Sequence, residues 1–399
     1  MSDIANFFEK QGVKVTIADR SYPDVYDITR SITAYSHEKT ANGGDWSATI
    51  TINVPYQDLD TWIYKRIGNF VYVYNAFGQL RWAGVINKVT IRMASVTLSV
   101  GEYLNIANRV SATYTPINYN VTPPTVGTAT ETPIGNDTTS QNRYGIIEKI
   151  ISLGQCTHNE ALYARDIFLK ENARPHLSIS NNVSGVSNEP ITATLECIGL
   201  VVYGFKTWIY NSFSTSVISI SDKIKAICQA EVNVNNAQGG DITTGANLNA
   251  IETNSYLVPA QETKNRYAWD ILLGLANTGD ASNNRWIIGM YPNGMMYYRN
   301  VNSIPVTYEF IIHRERQEYL LNDSKQRILP YDIDPGTWLQ LNTYANDTLP
   351  DFVNLYTDDR FAFIETVRYT APYSLEITSD RFGKFPQLLA KMSNSGGLQ

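Results

Sequence analysis

The sequence predicts an α+β protein made mainly of antiparallel β-sheet, and three observations carry that reading. Trp46, Ala48, Ile50, Ile52 and Val54 alternate with Ser47, Thr49, Thr51 and Asn53, the period of two that gives a strand one apolar and one wet face. Val89, Ile91 and Met93 alternate with Thr90 and Arg92, and Val96, Leu98 and Val100 follow in the same way. Helical spacing of apolar residues, by contrast, occurs only in short runs.

Taken in order, residues 1–115 read as β-dominated, with strands expected at 13–18 and 25–29 ahead of the hairpins. Leu59, Trp62 and Ile63, after the acidic start at Asp58, suit one short helix over 58–66. Residues 70–74 form the next strand, and a Gly-containing turn at 75–78 leads into Leu80-Arg81-Trp82-Ala83-Gly84-Val85-Ile86. The last alternation of this region runs into Gly101-Glu102-Tyr103-Leu104.

Residues 116–142 change character, being rich in Thr, Pro, Asn and Gly. A stretch of that length inside a domain reads as an exposed extension, a crossing to a neighbouring subunit, or disorder. Ile146, Ile147, Ile150, Ile151 and Leu153 then repeat at helical spacing up to Gly154, and a second helix is expected over 160–170. Ile191, Ala193, Leu195 and Cys197 return to alternation before Gly199 and the aromatics Tyr203, Phe205, Trp208 and Tyr210, so 190–208 reads as β.

Ser221 is read as the cap of a short helix containing Ile224, Ile227 and Cys228. A second polar stretch, 233–253, precedes a helix at Tyr267–Leu275 that stops by Gly279. Pro292-Asn293-Gly294 between 286–290 and 295–298 is a hairpin signal, because Gly supplies the positive φ of the turn. The remainder is β-rich, with strands expected at 352–355, 361–369 and 373–377 ahead of a Pro-interrupted tail.

At 399 residues the chain suits two to four domains. Its 26 tyrosines stand out. They fit β-faces, half-wet subunit interfaces, or a sugar-binding surface. The net charge of −6, without a dense Lys/Arg run, argues against a phosphate-gripping surface. Cys156, Cys197 and Cys228 are widely spaced and read as buried small hydrophobes, neither a disulfide framework nor a zinc site. Asp3, Glu9, Lys10 and Lys14 break any signal-peptide core, no apolar run approaches the roughly 20 residues needed to cross a bilayer, and folding in a cytoplasm is expected. The Asn-x-Ser/Thr triplets at Asn120, Asn182 and Asn346 are therefore read as chance matches.

The spacings that cradle phosphate, hold zinc or expose a nucleophile are missing. His37, His158, His176 and His313 are scattered, and each is read as a satisfied or solvated side chain. Asp332 and Asp334 flank Ile333 and could share a face, and Asp358-Asp359-Arg360 reads as a turn; structural roles are expected for both. No catalytic residue, metal ligand or cofactor is assigned, and no enzymatic activity is expected.

The run from Leu80 to Ile86, an alternating strand pair, and then Thr97-Leu98-Ser99-Val100-Gly101-Glu102-Tyr103-Leu104 resembles the baseplate or tail-tip hub proteins of tailed bacteriophages, a family built on tail-tube-like barrels. Trp82, Gly84, Gly101, Tyr103 and Leu104 carry the likeness, with weaker support from Trp269-Asp270-Ile271-Leu272-Leu273 and Thr366-Val367-Arg368-Tyr369. The resemblance implies two tube-like barrels with small α/β insertions: a discontinuous first barrel from 1–115 with 188–215, a polar extension and small helical insertion at 116–187, and a second barrel with an α+β region at 216–399. Thr194–Gly199 echoes Thr97–Gly101, either as a degenerate repeat, as the strand that completes the first barrel, or by chance.

It further implies a structural virion protein: a homotrimeric ring that joins the tail tube or distal tail protein to a central fibre, spike or tape-measure protein. DNA would pass its lumen without specific binding, no membrane would be involved, and assembly would occur in the host cytoplasm. The competing expectation is a carbohydrate-binding receptor protein of the tail tip, with exposed Tyr and Trp gathered in one groove. A glycan- or peptidoglycan-cleaving enzyme ranks last, since it needs two convergent carboxylates in a cleft.

Overall fold

A computed structural model describes residues 2–19, 25–181, 190–213, 216–230, 248–259, 262–311, 318–342 and 361–380. The expected 352–355 strand, the Asp358-Asp359-Arg360 turn, His313, Asn182, Asn346, residues 233–247 and the C-terminal tail lie outside these residues. The described chain is mostly β with some helices, and 17 of its strands join one large mixed sheet.

The N-terminal hairpins form as their alternation dictates. Strands Ile32–Thr40 and Gly43–Asn53 pair antiparallel, as do Phe70–Tyr74 with Leu80–Met93 and Leu80–Met93 with Val96–Gly101. Ala48, Ile50 and Ile52 are buried, and Thr49 and Asn53 face solvent. Strand Thr192–Gly199, far later in the chain, inserts between Gly43–Asn53 and Leu80–Met93. Its Leu195 stands opposite Ile50 on one side and Val89 on the other. Strand Phe361–Thr370 extends the same sheet from the opposite edge of the first hairpin, with Tyr369 opposite His37. Three pairings depart from the antiparallel expectation: Trp286–Met290 on Gly43–Asn53, Val306–Ile311 on Trp338–Asn342, and Glu148–Cys156 on Arg109–Asn118 are parallel.

Several local expectations need correction. Residues Ile146 to Leu153 do not form a helix; helix Thr138–Tyr144 ends at Gly145 and strand Glu148–Cys156 follows. Four isoleucines within six residues satisfy helical spacing, but β-branched side chains favour the pleated backbone, and Arg109–Asn118 offers an edge to pair with. The polar stretch after Pro116 folds back onto that same strand through Thr125–Val126, Thr130–Glu131 and Gly135–Asn136. After Gly199 the chain enters helix Leu200–Phe205, so Tyr203 and Phe205 are helical, not β. The next helix begins at Ile220, and its capping hydroxyl belongs to Ser219, which accepts from the Asp222 N–H at 3.2 Å; Ser221 lies inside the helix and donates to the Asn254 carbonyl.

An opening helix, Asp3–Gln11, was not expected; Ser2 caps it and Gly12 ends it with φ +67°. The helices at Leu59–Lys65, His158–Asn172 and Ala268–Thr278 and the hairpin Trp286–Met290 with Met296–Asn300 match their signals. Cys197 and Cys228 are buried as expected, whereas Cys156, at the end of its strand, is half-exposed. No helix among the described residues is long and apolar enough to cross a membrane.

Candidate functional site

The alternation of strand Ile32–Thr40 turns Tyr35, His37 and Lys39 to its buried side. A lysine at that parity is costly unless paired, and its Nζ is held 2.6 Å from Asp334 Oδ1. Arg81, near the start of the Leu80–Met93 strand, reaches the same carboxylate, with Nη2 at 2.8 Å from Asp334 Oδ2 and Nε at 3.2 Å from Asp332 Oδ1. Arg81 also donates to the Asp332 carbonyl. Ile333, fully buried between the two aspartates, anchors the segment that presents them. Asp332 and Asp334 thus share a face as expected, and one guanidinium holds both.

Further hydrogen bonds fix the segment. Asn75 Nδ2 donates to Asp332 Oδ1 at 3.1 Å, and the Asp334 N–H donates to the Tyr308 hydroxyl at 3.0 Å. Asp45, buried in the Gly43–Asn53 strand, accepts the Ala83 N–H on Oδ2 at 2.7 Å. Among the described residues no cation pairs with it.

These surroundings divide the titrations. Burial pushes Asp45 up to about 7, against the pull of Lys39 and the Ala83 N–H. Burial also raises Asp332 over the opposing field of Arg81, whereas for Asp334 Lys39 and Arg81 outweigh burial and hold the carboxyl below its ordinary value. Burial, then the Lys39 charge, keep His37 well below its ordinary value, so the ring is neutral at pH 7; its Nδ1 shares a 2.9 Å hydrogen bond with Tyr35.

The layer borders a cleft of about 510 Å³ between the first hairpin and the Trp286–Asn300 hairpin. Chemically, the arrangement ties the N-terminal strands to the segment at Asp332–Asp334, and Lys39 and Arg81 already occupy Asp334. Among the described residues no group of three or more His, Cys, Asp or Glu is placed to hold a metal. His158 shares a hydrogen bond with Tyr114 at 2.7 Å, and His176 is exposed on an edge strand.

The five motif residues lie at two places. Trp82 is fully buried beside Arg81, and Gly84 faces the inserted strand at Gly199. A Cβ at Gly84 would stand 2.2 Å from the Ile198 carbonyl oxygen and 2.4 Å from the Trp82 ring, so only glycine lets the 192–199 strand seat. Gly101 (φ +141°), Tyr103 and Leu104 form the other group. The buried Tyr103 hydroxyl donates to the Tyr144 carbonyl at 2.6 Å, and the Leu104 N–H donates to Asn87 Oδ1 at 3.1 Å. Sequence reasoning missed Lys39, Asp45 and Arg81; the available signal was Lys39 on the buried parity of Tyr35 and His37, whereas Asp45 falls on the polar parity of Ser47 and Thr49 and is turned inward by a register shift.

No protein-family model and no curated protein matches the chain. Three solved structures are similar to it in part. A tail protein from Neisseria meningitidis MC58 aligns over 94% of this chain and 98% of its own at 8% identity and a TM-score of 0.41. A 43 kDa tail protein of prophage MuSo2 from Shewanella oneidensis aligns over the same shares at 7% identity and a TM-score of 0.39. A chain of a PdpA–VgrG complex aligns over 90% of this chain and 60% of its own at 9% identity and a TM-score of 0.29.

Proposed function

We propose that this chain is a non-enzymatic structural protein of a bacteriophage tail, a hub subunit whose homotrimeric ring joins the tail tube or distal tail protein to a central fibre, spike or tape-measure protein and surrounds part of the DNA path. The observation that carries the reading is the seat of strand Thr192–Gly199 between Gly43–Asn53 and Leu80–Met93. A first barrel interrupted by an insertion and completed later in the chain is the arrangement implied by the resemblance, and Gly84 of the motif is the residue that admits the returning strand. The net charge of −6 suits a wall past which DNA moves without adhering.

The distribution of aromatics favours this reading over a sugar-binding tip. A stacking platform needs exposed rings, yet Trp62, Trp82, Trp269 and Trp286 are buried and Trp46, Trp208 and Trp338 are half-buried. Tyr103, Tyr203, Tyr298 and Tyr369 lie in the interior; of the exposed tyrosines, Tyr56, Tyr64 and Tyr26 lie around helix Leu59–Lys65, and Tyr119, Tyr163 and Tyr373 sit on separate elements.

Single-particle imaging of the purified chain, alone and with the neighbouring tail proteins, tests the proposal. The expected result is a threefold ring with a DNA-wide channel and six similar barrels. A persistent monomer, or a trimer with no channel, would overturn it; binding in a glycan array would then favour the receptor alternative.

A further inference from the structure

One antiparallel run of eight strands crosses the large sheet and ends in a free edge on each side. From His176–Asn181 it passes through Val96–Gly101, Leu80–Met93, Thr192–Gly199, Gly43–Asn53, Ile32–Thr40 and Phe361–Thr370 to Ser374–Asp380. Among the described residues neither end strand has a second partner. Sheets blunt such edges with Pro, Lys or a bulge, yet His176–Asn181 contains neither Pro nor Lys and pairs without a register shift.

The pairing sets Leu177 beside Val100, Val100 beside Val89, Val89 beside Leu195 and Leu195 beside Ile50, so Leu177 and Ile179 belong to the apolar face of the sheet. The residues in that row are buried as far as Val100, but Leu177 is 46% and Ile179 66% exposed, and the core face runs out uncovered at this edge. At the far edge Leu375 and Ile377 stand opposite Tyr369 and Val367 on the same face and are half-buried.

Two features make a second copy of this chain the occupant. Leu-x-Ile occurs on both edges with its apolar residues on the same face, so setting Leu177 opposite Ile377 and Ile179 opposite Leu375 of another copy continues that face across the junction and puts Ser178 opposite Glu376. An even number of alternating strands also leaves the two edges running in opposite directions. Copies related by rotation about an axis along the strands therefore meet as antiparallel neighbours.

We propose that this strand pairing is the subunit seam: the His176–Asn181 edge of one copy adds antiparallel to the Ser374–Asp380 edge of the next, head to tail. The seam deepens the ring reading and rests on it for the number of copies.

The test is disulfide trapping in the full chain carrying Cys156→Ser, which removes the half-exposed native thiol. Ser178→Cys with Glu376→Cys in one chain should give covalent dimers and trimers, and nothing larger, on oxidation with copper phenanthroline, while either cysteine alone should give no covalent dimer. Ile179→Lys, at a side chain already exposed in the single chain, should leave the fold intact and weaken self-association about ten-fold or more in sedimentation velocity. Trimers that form without the disulfide and are unaffected by Ile179→Lys would overturn the seam and leave the ring. Covalent dimers from either single variant would mean symmetric pairing and would also overturn the seam. A ladder longer than three copies would support the seam and overturn the threefold ring, and a parent chain that stays monomeric would overturn both.

Discussion

Arg81 and Gly84 stand three positions apart on one strand and hold distant parts of the chain by opposite means. At Gly84 the returning 192–199 strand is held by shape: the backbone of Ile198 lies where a side chain would be, the Trp82 ring closes against the same position, and farther along the two strands Leu195 and Val89 pair within the same apolar cluster. At Arg81 the segment Asp332–Asp334 is held by charge, around the much smaller apolar cluster of Tyr308, Ile333, Leu339, Ile364 and Val367. The first contact is apolar and depends on volume. The second depends on the charge state of its members, so it responds to salt and pH where the first does not.

The contrast can be broken most severely at Gly84. Any Cβ there meets the Ile198 backbone, which has no flexible end to yield, so Gly84→Ala is expected to cost upward of about 3 kcal/mol. Urea unfolding should show that loss undiminished in high salt; a loss below about 1 kcal/mol would mean that the two strands separate without penalty. Next in size is Arg81→Met, which keeps the stem, leaves Asp332 without its cation and leaves Asp334 to Lys39 alone. Complete burial would make the cost about 3–5 kcal/mol. Because Asp334 is 45% exposed, solvent screening reduces the expectation to about 2–3 kcal/mol. Unlike the Gly84 loss, this one should shrink as salt rises, and a salt-independent loss would remove the distinction between the two contacts.

How far each contact was legible in the sequence follows from the same difference. The Gly84 contact lies in a strand whose alternation announced it, and the return of 190–208 as β was visible in Ile191, Ala193, Leu195 and Cys197. Tyr203 and Phe205 were misread because an aromatic cluster looks alike on a strand and on a helix packed against the sheet. The 146–153 run was misread because helical spacing and a β-branched strand coincide in it, and only the free edge of Arg109–Asn118 decides between them. At the ion-pair layer Asp332 and Asp334 were noticed for their spacing around Ile333. Their partners escaped notice because Lys39 and Arg81 lie 295 and 253 positions from Asp334. Charge pairing leaves no periodicity in a sequence; its one trace is a charged residue on the buried parity, as at Lys39, and Asp45 lacks even that, because a register shift at Trp46 turns it inward from the parity of Ser47 and Thr49.

The smallest expected effect isolates the electrostatic contact by itself. Asp45 holds its proton to about pH 7 in the folded chain, whereas an unfolded aspartate releases it near 3.9. Between those values the folded state binds the extra proton, so stability contributed by this group is greatest at the acidic end and falls as pH rises, by about 1.4 kcal/mol per pH unit at most. Asp45→Asn removes the titration while keeping an oxygen for the Ala83 N–H. From pH 5.5 to 6.5 the parent should therefore lose about 1 kcal/mol more than the variant in urea unfolding, and the two should run parallel above pH 8. Gly84→Ala should leave that differential slope in place, because its cost is steric. Parallel curves for parent and Asp45→Asn throughout would mean that Asp45 is already charged and compensated in the folded chain, and the charge imbalance at this contact would be gone.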